Sequence, residues 1–390
     1  MNITFMLSRF LNGGIDTVLL RYLHIIGGTG HKLTLVIGTE YKGLQRFESM
    51  IPPTVDVKYL LRDNMLTSIP KKKLSQKIST FQKAVDAVLF APIRIALQKT
   101  RLKKILMQSD VAVDFDCTFY SKLNNANCIK IAFFHFSINH YHRGNTRKLN
   151  RLCGKMKVYD KIVMICNKMA EELAQRAPFL SDKVHVIYNP ISMSELTQKA
   201  SEYNVPDEDF IVSIARLEEH QKDFTTLIKA YAHAKQSCSL PKLYIIGEGR
   251  DKEYLETLSK EHGLEENVVF LGFIPNPIPW VAKSKVFVLS SKYEGLPTVL
   301  IEALALNRII VSSDCPTGPA EILNNGKCGI LVPMGDAKAM SDAIIKALHD
   351  NNLRSEIESN IAQHKQTFST EHCLNKFMEL LGENRQTESY

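Results

Sequence analysis

The segment SSKYEGLPTVLIEALAL, beginning at Ser290, sets Glu294 in front of Gly-Leu-Pro and returns a second acid, Glu302, eight residues later. Glu302 falls in an apolar run with Leu300, Ile301, Ala303 and Leu304, where a carboxylate is costly unless it is paired or hydrogen-bonded. With Pro297 at the first helical position, the helix start exposes free N–H groups whose dipole attracts an anion such as phosphate. One acid then flanks the anion on each side. A ligand with hydroxyls, then phosphates, then hydroxyls satisfies all three features, and a nucleotide-sugar is such a ligand. The plainer alternative makes Glu294 a helix cap and Glu302 a solvated helix residue; spacing alone does not choose.

Other stretches bear on that choice. ARLEEHQKDFTTLIKAY follows the apolar run FIVSI, which puts Arg216 and Lys222 in a strand-to-helix loop. Two cations there suit a diphosphate leaving group, whose charge rises as its bond to the sugar breaks. A solvated loop among Glu218, Glu219 and Asp223 is the alternative. Gly247 and Gly249 follow KLYII and let backbone come close to a nucleotide, although a tight turn explains them nearly as well. Gly13 and Gly14 stand between the run NITFML and a helix, where amides can approach phosphates or simply turn the chain.

Two patterns suggest metal chemistry without requiring it. FHFSINHYHR holds His135, His140 and His142, but a zinc site needs a further well-spaced ligand and an orienting second shell. An acceptor-facing or surface role is expected for His140 and His142. Asp114-Phe115-Asp116 ends the apolar run SDVAVDF and reads as a structural pair at a strand end. No metal and no cofactor is expected.

The elements that position these residues alternate regularly. NITFML, KLTLVIG, VAVDF, KIAFFHF, KIVMIC and KVHVIY are separated by helical stretches, and the pattern restarts with FIVSIA, KLYIIG, NVVFLGF, VFVLSS and RIIVSS. Continuous apolar strands alternating with helices mean parallel sheets covered on both faces. Two successive arrays mean an α/β chain of two Rossmann-like domains, 1–188 and 189–369, with parallel sheets facing across a cleft. Their junction lies at Tyr188-Asn189-Pro190, and the cleft is the expected ligand site.

Composition agrees. A chain of 390 residues, 45% of them hydrophobic, exceeds one compact core of ordinary size. Its N-terminus lacks a basic segment followed by an apolar one, and the best apolar run, AVDAVLFAPIRIAL, is broken by Asp86, Pro92 and Arg94. A soluble cytoplasmic chain is expected. Eight scattered cysteines with no CxxC pair suggest reduced thiols. Residues 1–190 carry 29 Lys and Arg against 13 Asp and Glu, while 191–390 carry 20 against 28. The basic half suits an anionic surface, the acidic half a different task.

Together the ordered set resembles the retaining glycosyltransferases of family 4, which have the two-domain GT-B fold. The likeness runs through most of the chain and is strongest from Val212 to Pro333. The family's E-x7-E signature matches Glu294 and Glu302, its Arg and Lys pair matches Arg216 and Lys222, and its GxG turn matches Gly247 and Gly249. FLGFIPN around Phe273 is similar to the family's loop near the base. The resemblance implies that Glu294 bonds the donor sugar, that Gly295, Leu296 and Pro297 line the sugar–phosphate contact, and that Glu302 holds the ribose. It also implies a glycine-rich loop at Gly13 and Gly14, a catalytic His135 near the reacting carbon, and catalytic roles for Arg216, Lys222 and Glu294. No second carboxylate stands out as a nucleophile. The implied route is a same-face transfer with retention, in which the departing phosphate oxygen helps deprotonate the acceptor. In this fold the last helix, here 370–382, returns to the first domain.

On the acceptor side, residues 71–104 hold ten Lys and Arg and one acid, Asp86. Leu74, Ile78, Phe81, Val85 and Leu89 recur every three or four residues, as in a helix lying on anionic lipid or in an ordinary core helix. Nucleic acid is disfavoured because the cations lack aromatic stacking partners. Peripheral binding to the inner face of the cytoplasmic membrane is expected. In DCPTGPAEILNNGKCGILVP, Glu321 is expected to start or cap the next helix, and loops of this kind occur in relatives that build bacterial surface glycans. That favours a UDP-hexose or UDP-N-acetylhexosamine donor and a lipid-linked, glycolipid or lipopolysaccharide acceptor. A sugar-nucleotide epimerase of the same fold, or a non-catalytic membrane-associated partner, is the competing reading.

Overall fold

The computed structural model describes residues 1–11, 13–44, 47–76 and 78–382. Its contacts divide into two compact units. The first contains a seven-stranded parallel sheet of β1 (Asn2–Leu7), β2 (Lys32–Ile37), β3 (Asp56–Tyr59), β4 (Val111–Asp114), β5 (Ile129–Phe134), β6 (Lys161–Met164) and β7 (Val184–Val186). The second contains a six-stranded parallel sheet of β8 (Phe210–Ile214), β9 (Lys242–Ile246), β10 (Val268–Gly272), β11 (Val286–Leu289), β12 (Ile309–Ser313) and β13 (Ile330–Val332).

Strand order is β3-β2-β1-β4-β5-β6-β7 in the first sheet and β10-β9-β8-β11-β12-β13 in the second. Each is the doubly wound order 3-2-1-4-5-6, the first with one strand added. The central strands read as unbroken apolar runs because both faces are covered; FIVSI and VFVL are buried at every position. In the first unit Phe115 stacks on Phe133 at 4.9 Å, and Tyr22 meets both rings edge-on. All eight cysteines are free thiols.

In an order of this kind, successive loops leave the sheet toward opposite faces where the winding reverses, between β1 and β4 and again between β8 and β11. The segment after β8 carries Arg216 and, at the end of the short helix Glu219–Lys222, Lys222, and the loop after β11 carries Glu294. Residues 72 positions apart are thereby delivered to one strand edge.

The main boundary between units falls after Ile187, and residues 136–141 and 166–169 group with the second unit. The helix Thr370–Leu381 also groups with the second unit rather than the first. Its entry is fixed there by backbone bonds, Ile191 N to Phe368 O at 2.8 Å and Thr370 N to Ile191 O at 3.1 Å. Among the described residues no helix is long and apolar enough to cross a membrane.

Candidate donor site in the second unit

Glu294 is buried, and its Oε1 accepts hydrogen bonds from Lys222 Nζ at 2.5 Å and Ser291 Oγ at 2.6 Å. Both bonds converge on one oxygen. Among the described residues Oε2 accepts none, so half of the carboxylate remains for a ligand hydroxyl. The lysine is placed by its backbone: Ser290 Oγ donates to Lys222 O at 2.9 Å, and Lys292 N donates to Gln221 O at 2.7 Å. Gln221 Nε2 returns a bond to Tyr293 O at 3.2 Å. The loops after β8 and β11 are thus bonded together along their length. On the other side Thr317 Oγ1 donates to Glu294 O, which fixes the acid's main chain.

Immediately after Glu294 the chain enters the helix Thr298–Ala305 with Pro297 as its N-cap, one position earlier than a proline at the first helical turn would sit. No side chain caps this helix. Among the described residues the amides of Gly295, Leu296, Thr298 and Val299 donate to no acceptor in the chain. Free amides at a helix start suit an anion, and Lys222 is bonded to the acid just before them. Glu302 is half-buried on the same helix. Arg216 behaves differently from Lys222: its side chain is exposed, and its guanidinium meets Glu218 Oε1 at 3.3 Å.

Gly247 and Gly249 meet the protein's own backbone. A Cβ on Gly247, where φ is +145°, would lie 1.9 Å from Ala215 O, and one on Gly249 would lie 2.1 Å from Leu217 O. The glycines let the loop after β9 press on the loop after β8, holding the segment that carries Arg216. Tight backbone packing against the loop after β8 is what the structure shows of these glycines.

In the first unit His135 ends β5 with its ring against Phe115, centroids 4.8 Å apart. It is buried, and among the described residues its Nε2 has no hydrogen-bond partner. Burial pushes its pKa down to about 4, so the imidazole is neutral at physiological pH. The unfolded chain takes up this proton near the ordinary histidine value of 6.5 and the folded chain only near 4. Stability is accordingly full above 6.5 and falls as pH drops through that window, by up to about 3 kcal/mol. Urea midpoints near neutrality and near the lower end of the window test this. His135→Phe should lose clearly less stability on acidification than the wild type, and equal losses would contradict it.

The glycine loop is more self-contained than a phosphate loop needs to be. Asp16 Oδ2 accepts from Leu11 N at 2.9 Å and Gly13 N at 2.7 Å, so the Gly13 amide is committed to the helix cap. Gly14 opens the helix Gly14–Gly27. The Asp114–Asp116 pair is likewise filled by chain donors. Asp114 accepts from Thr118 N, Phe119 N and the Tyr159 hydroxyl, and Asp116 accepts from Ser8 N and Thr118 Oγ1. Burial and the neighbouring Asp116 raise Asp114 to about 7. The pair braces a loop. His140 stacks on Tyr293 with centroids 5.2 Å apart and bonds Ser137 Oγ; the His142 side chain lies outside the described set. Among the described residues no three His, Cys, Asp or Glu could hold a metal ion.

Glu321 does not serve its own short helix, Pro319–Ile322. It accepts from Asn167 N at 2.9 Å, Asn167 Nδ2 at 2.6 Å and the Tyr188 hydroxyl at 2.6 Å, at the start of the helix Asn167–Arg176. Ser291, Thr317 and this role of Glu321 were all missed in the sequence. Their partners are tertiary, apart from the Ser291–Glu294 spacing of three, which is a readable local signal.

The family model described as "Glycosyl transferases group 1" matches residues 195–364. A Campylobacter jejuni protein, N-acetylgalactosamine-N,N'-diacetylbacillosaminyl-diphospho-undecaprenol 4-alpha-N-acetylgalactosaminyltransferase, is 36% identical over 184 residues, covering 47% of this chain and 49% of that protein. The chain thus spans about half the length of this and several other curated relatives. The amylovoran biosynthesis glycosyltransferase AmsD of Erwinia amylovora is 27% identical over 75% of this chain and 81% of its own. Among solved structures, HepE of Anabaena in complex with UDP and glucose superposes with a TM-score of 0.75 at 17% identity, covering 98% of this chain and 99% of that one. Residues 195–364 are therefore a glycosyl transferases group 1 domain, in a chain whose two α/β units have the GT-B fold.

Proposed function

We propose that the chain is a glycosyltransferase of surface-glycan or lipopolysaccharide biosynthesis. It moves a hexose or N-acetylhexosamine from a UDP-sugar to a lipid-linked or lipopolysaccharide acceptor, with retention and without metal. The observation that carries this reading is the buried Lys222–Glu294 pair beside an uncapped helix start at the strand-order reversal of the second unit. In it the free amides and Lys222 take the diphosphate, Glu294 Oε2 takes a sugar hydroxyl, and Glu302 takes the ribose. Lys222 is held by Glu294 in the resting state, and negative charge arriving on the diphosphate offers it a second partner as the sugar bond breaks. Arg216, exposed on its loop, adds charge once the diphosphate is seated. Neutral His135 positions the sugar and is no acid at working pH. Gly14 is left as the first-unit amide for the donor. Relatives named for diphospho-undecaprenol and lipopolysaccharide acceptors, and a neighbour solved with UDP, support the substrate classes.

Transfer from a panel of UDP-sugars to a lipid-linked acceptor tests the reading, with NMR of the product linkage. An α-linked product from an α-linked donor, unchanged by chelator, is expected. An inverted linkage, or loss of activity on chelation, would overturn the retaining, metal-independent mechanism.

The same proposal places the chain on the inner face of the cytoplasmic membrane. Within 71–104 the periodic face is not core: Phe81 is 77% and Leu89 56% exposed, while Ile78 and Val85 are half-buried. Val88, Ile93 and Ile95 are exposed beside them. The lone acid is neutralised, since Arg94 grips both oxygens of Asp86 at 2.6 and 2.8 Å. Exposed apolar side chains in a segment with ten Lys and Arg and one acid suit anionic lipid. Flotation with phosphatidylglycerol vesicles should fall in high salt and in a Phe81→Ser/Val88→Ser/Leu89→Ser variant; recovery unchanged by both would contradict membrane contact.

A further inference from the structure

At the carboxyl ends of β1 and β2 a pocket of about 640 Å³ opens in the first unit. Three cations line it, Arg9 from the loop after β1, Lys73 from the helix Met65–Ser75 and Lys83 from the helix Thr80–Val85, together with Tyr41 from the loop after β2. Its apolar lining comes from Ile69, Leu74 and Ile78. One acid, Asp86, also faces it, and that acid is already taken by both guanidinium nitrogens of Arg94. Neighbouring Lys71 is different again, because Asp63 Oδ2 holds it at 2.6 Å and Lys42 O at 2.8 Å. Among the described residues Arg9, Lys73 and Lys83 have no carboxylate within salt-bridge distance. Three unopposed cations around an apolar floor are an arrangement that repels itself until an anion arrives.

The flanking surface says what kind of anion. Phe81, on the helix that supplies Lys83, is 77% exposed, and Val88 and Leu89, just beyond Asp86, are 71% and 56% exposed. A small soluble phosphate would use the cations and leave this strip uncovered. A diphosphate joined to a long apolar chain uses both: its two charges meet the three cations, and its chain lies along the exposed strip. Open α/β sheets bind ligands beyond the carboxyl ends of their strands, which is where this pocket lies.

We propose that this pocket is the seat of a lipid diphosphate, the anchor of the acceptor, with Arg9, Lys73 and Lys83 on the phosphates and Ile69, Leu74 and Ile78 beneath the first part of the chain. The inference rests on the transferase reading for its biological meaning, but its test does not need activity. Farnesyl diphosphate is titrated by calorimetry into the full chain, with farnesol and inorganic pyrophosphate as separate arms. Farnesyl diphosphate should bind at least about tenfold more tightly than either half alone, because only it engages both surfaces. The variant Arg9→Gln/Lys73→Gln/Lys83→Gln should weaken it by about tenfold or more, while Lys99→Gln/Lys103→Gln/Lys104→Gln, which removes equal charge elsewhere, should change it by less than about threefold. Equal weakening by the two variants would overturn the pocket in favour of diffuse attraction. Pyrophosphate binding as tightly as farnesyl diphosphate would overturn the lipid. UDP binding, measured in parallel, should be unchanged in the pocket variant; absence of UDP binding in the wild type sinks the transferase reading while leaving the farnesyl diphosphate result to stand or fall by itself.

Discussion

Lys222→Ala is expected to lower sugar transfer by about 100- to 1,000-fold, the range for removing one preorganised charge from a developing anion. Two separate losses contribute. The diphosphate loses a cation that is 17% exposed and so acts at reduced dielectric. Glu294 loses the partner that makes its burial tolerable, with only Ser291 Oγ left on Oε1. Chemical denaturation separates the two. Lys222→Ala alone should cost about 3 kcal/mol because it strands a buried carboxylate, and Lys222→Ala/Glu294→Gln should recover a large part of that stability. Activity should not recover, since both groups act on the donor. Recovery of activity in the double variant would mean the pair is structural and nothing more.

Gly249→Ala has the second large effect, and it falls on folding before chemistry. The added methyl would lie 2.1 Å from Leu217 O, 2.5 Å from Leu217 C and 2.7 Å from Leu217 N. All three are backbone atoms of a loop held by Leu217 N to Glu248 O and Asp251 N to Leu217 O, so neither side yields by a rotamer change. Overpacking against fixed main chain costs about 1–3 kcal/mol, which lowers the melting temperature of a domain this size by roughly 2–12 °C. UDP affinity should fall with it, because the displaced loop carries Arg216 and leads to Lys222. A Gly263→Ala control, where a Cβ meets nothing within 4 Å but φ is +65°, should show a smaller, purely local loss without change in UDP binding. Equal losses at the two glycines would contradict the close approach as the constraint at Gly249, whose φ is not in the left-handed region.

Much of this arrangement is legible in the chain, and the reasons are physical. The alternation of buried strands with helices identifies parallel sheets. In such sheets a loop after a strand must lie at the carboxyl edge, so Arg216, Lys222 and Glu294 are placed on the same edge by their positions alone. What sequence cannot show is which donors each acid meets across the fold. Thr317 reaches Glu294 O over 23 residues and Glu321 reaches Asn167 over 154, with no local pattern to mark either. The Gly13 amide is the opposite case. Asp16 stands three residues on, the position from which an acid caps the preceding amides, and that spacing announces the bond that occupies the loop. The basic segment is legible in part. Ile93 continues the four-residue spacing from Leu89, while Ile95 is exposed off that spacing, beyond a π-turn at Asp86–Phe90 that inserts a residue into the period.

The glycine pair after β9 shows how one pattern admits two physical causes. A GxG turn lets main chain approach something closely, and sequence does not say whether that is a nucleotide or another loop. Here the neighbour is the main chain of Ala215 and Leu217. The pair thus helps place the cationic loop that carries Arg216.

A crystal structure of the chain with UDP tests the account at its centre. The diphosphate is expected against the amides of Gly295, Leu296, Thr298 and Val299 with Lys222 Nζ within hydrogen-bond reach, and the ribose hydroxyls on Glu302. A diphosphate bound away from the start of the helix Thr298–Ala305, with Lys222 and Glu294 untouched, would contradict it.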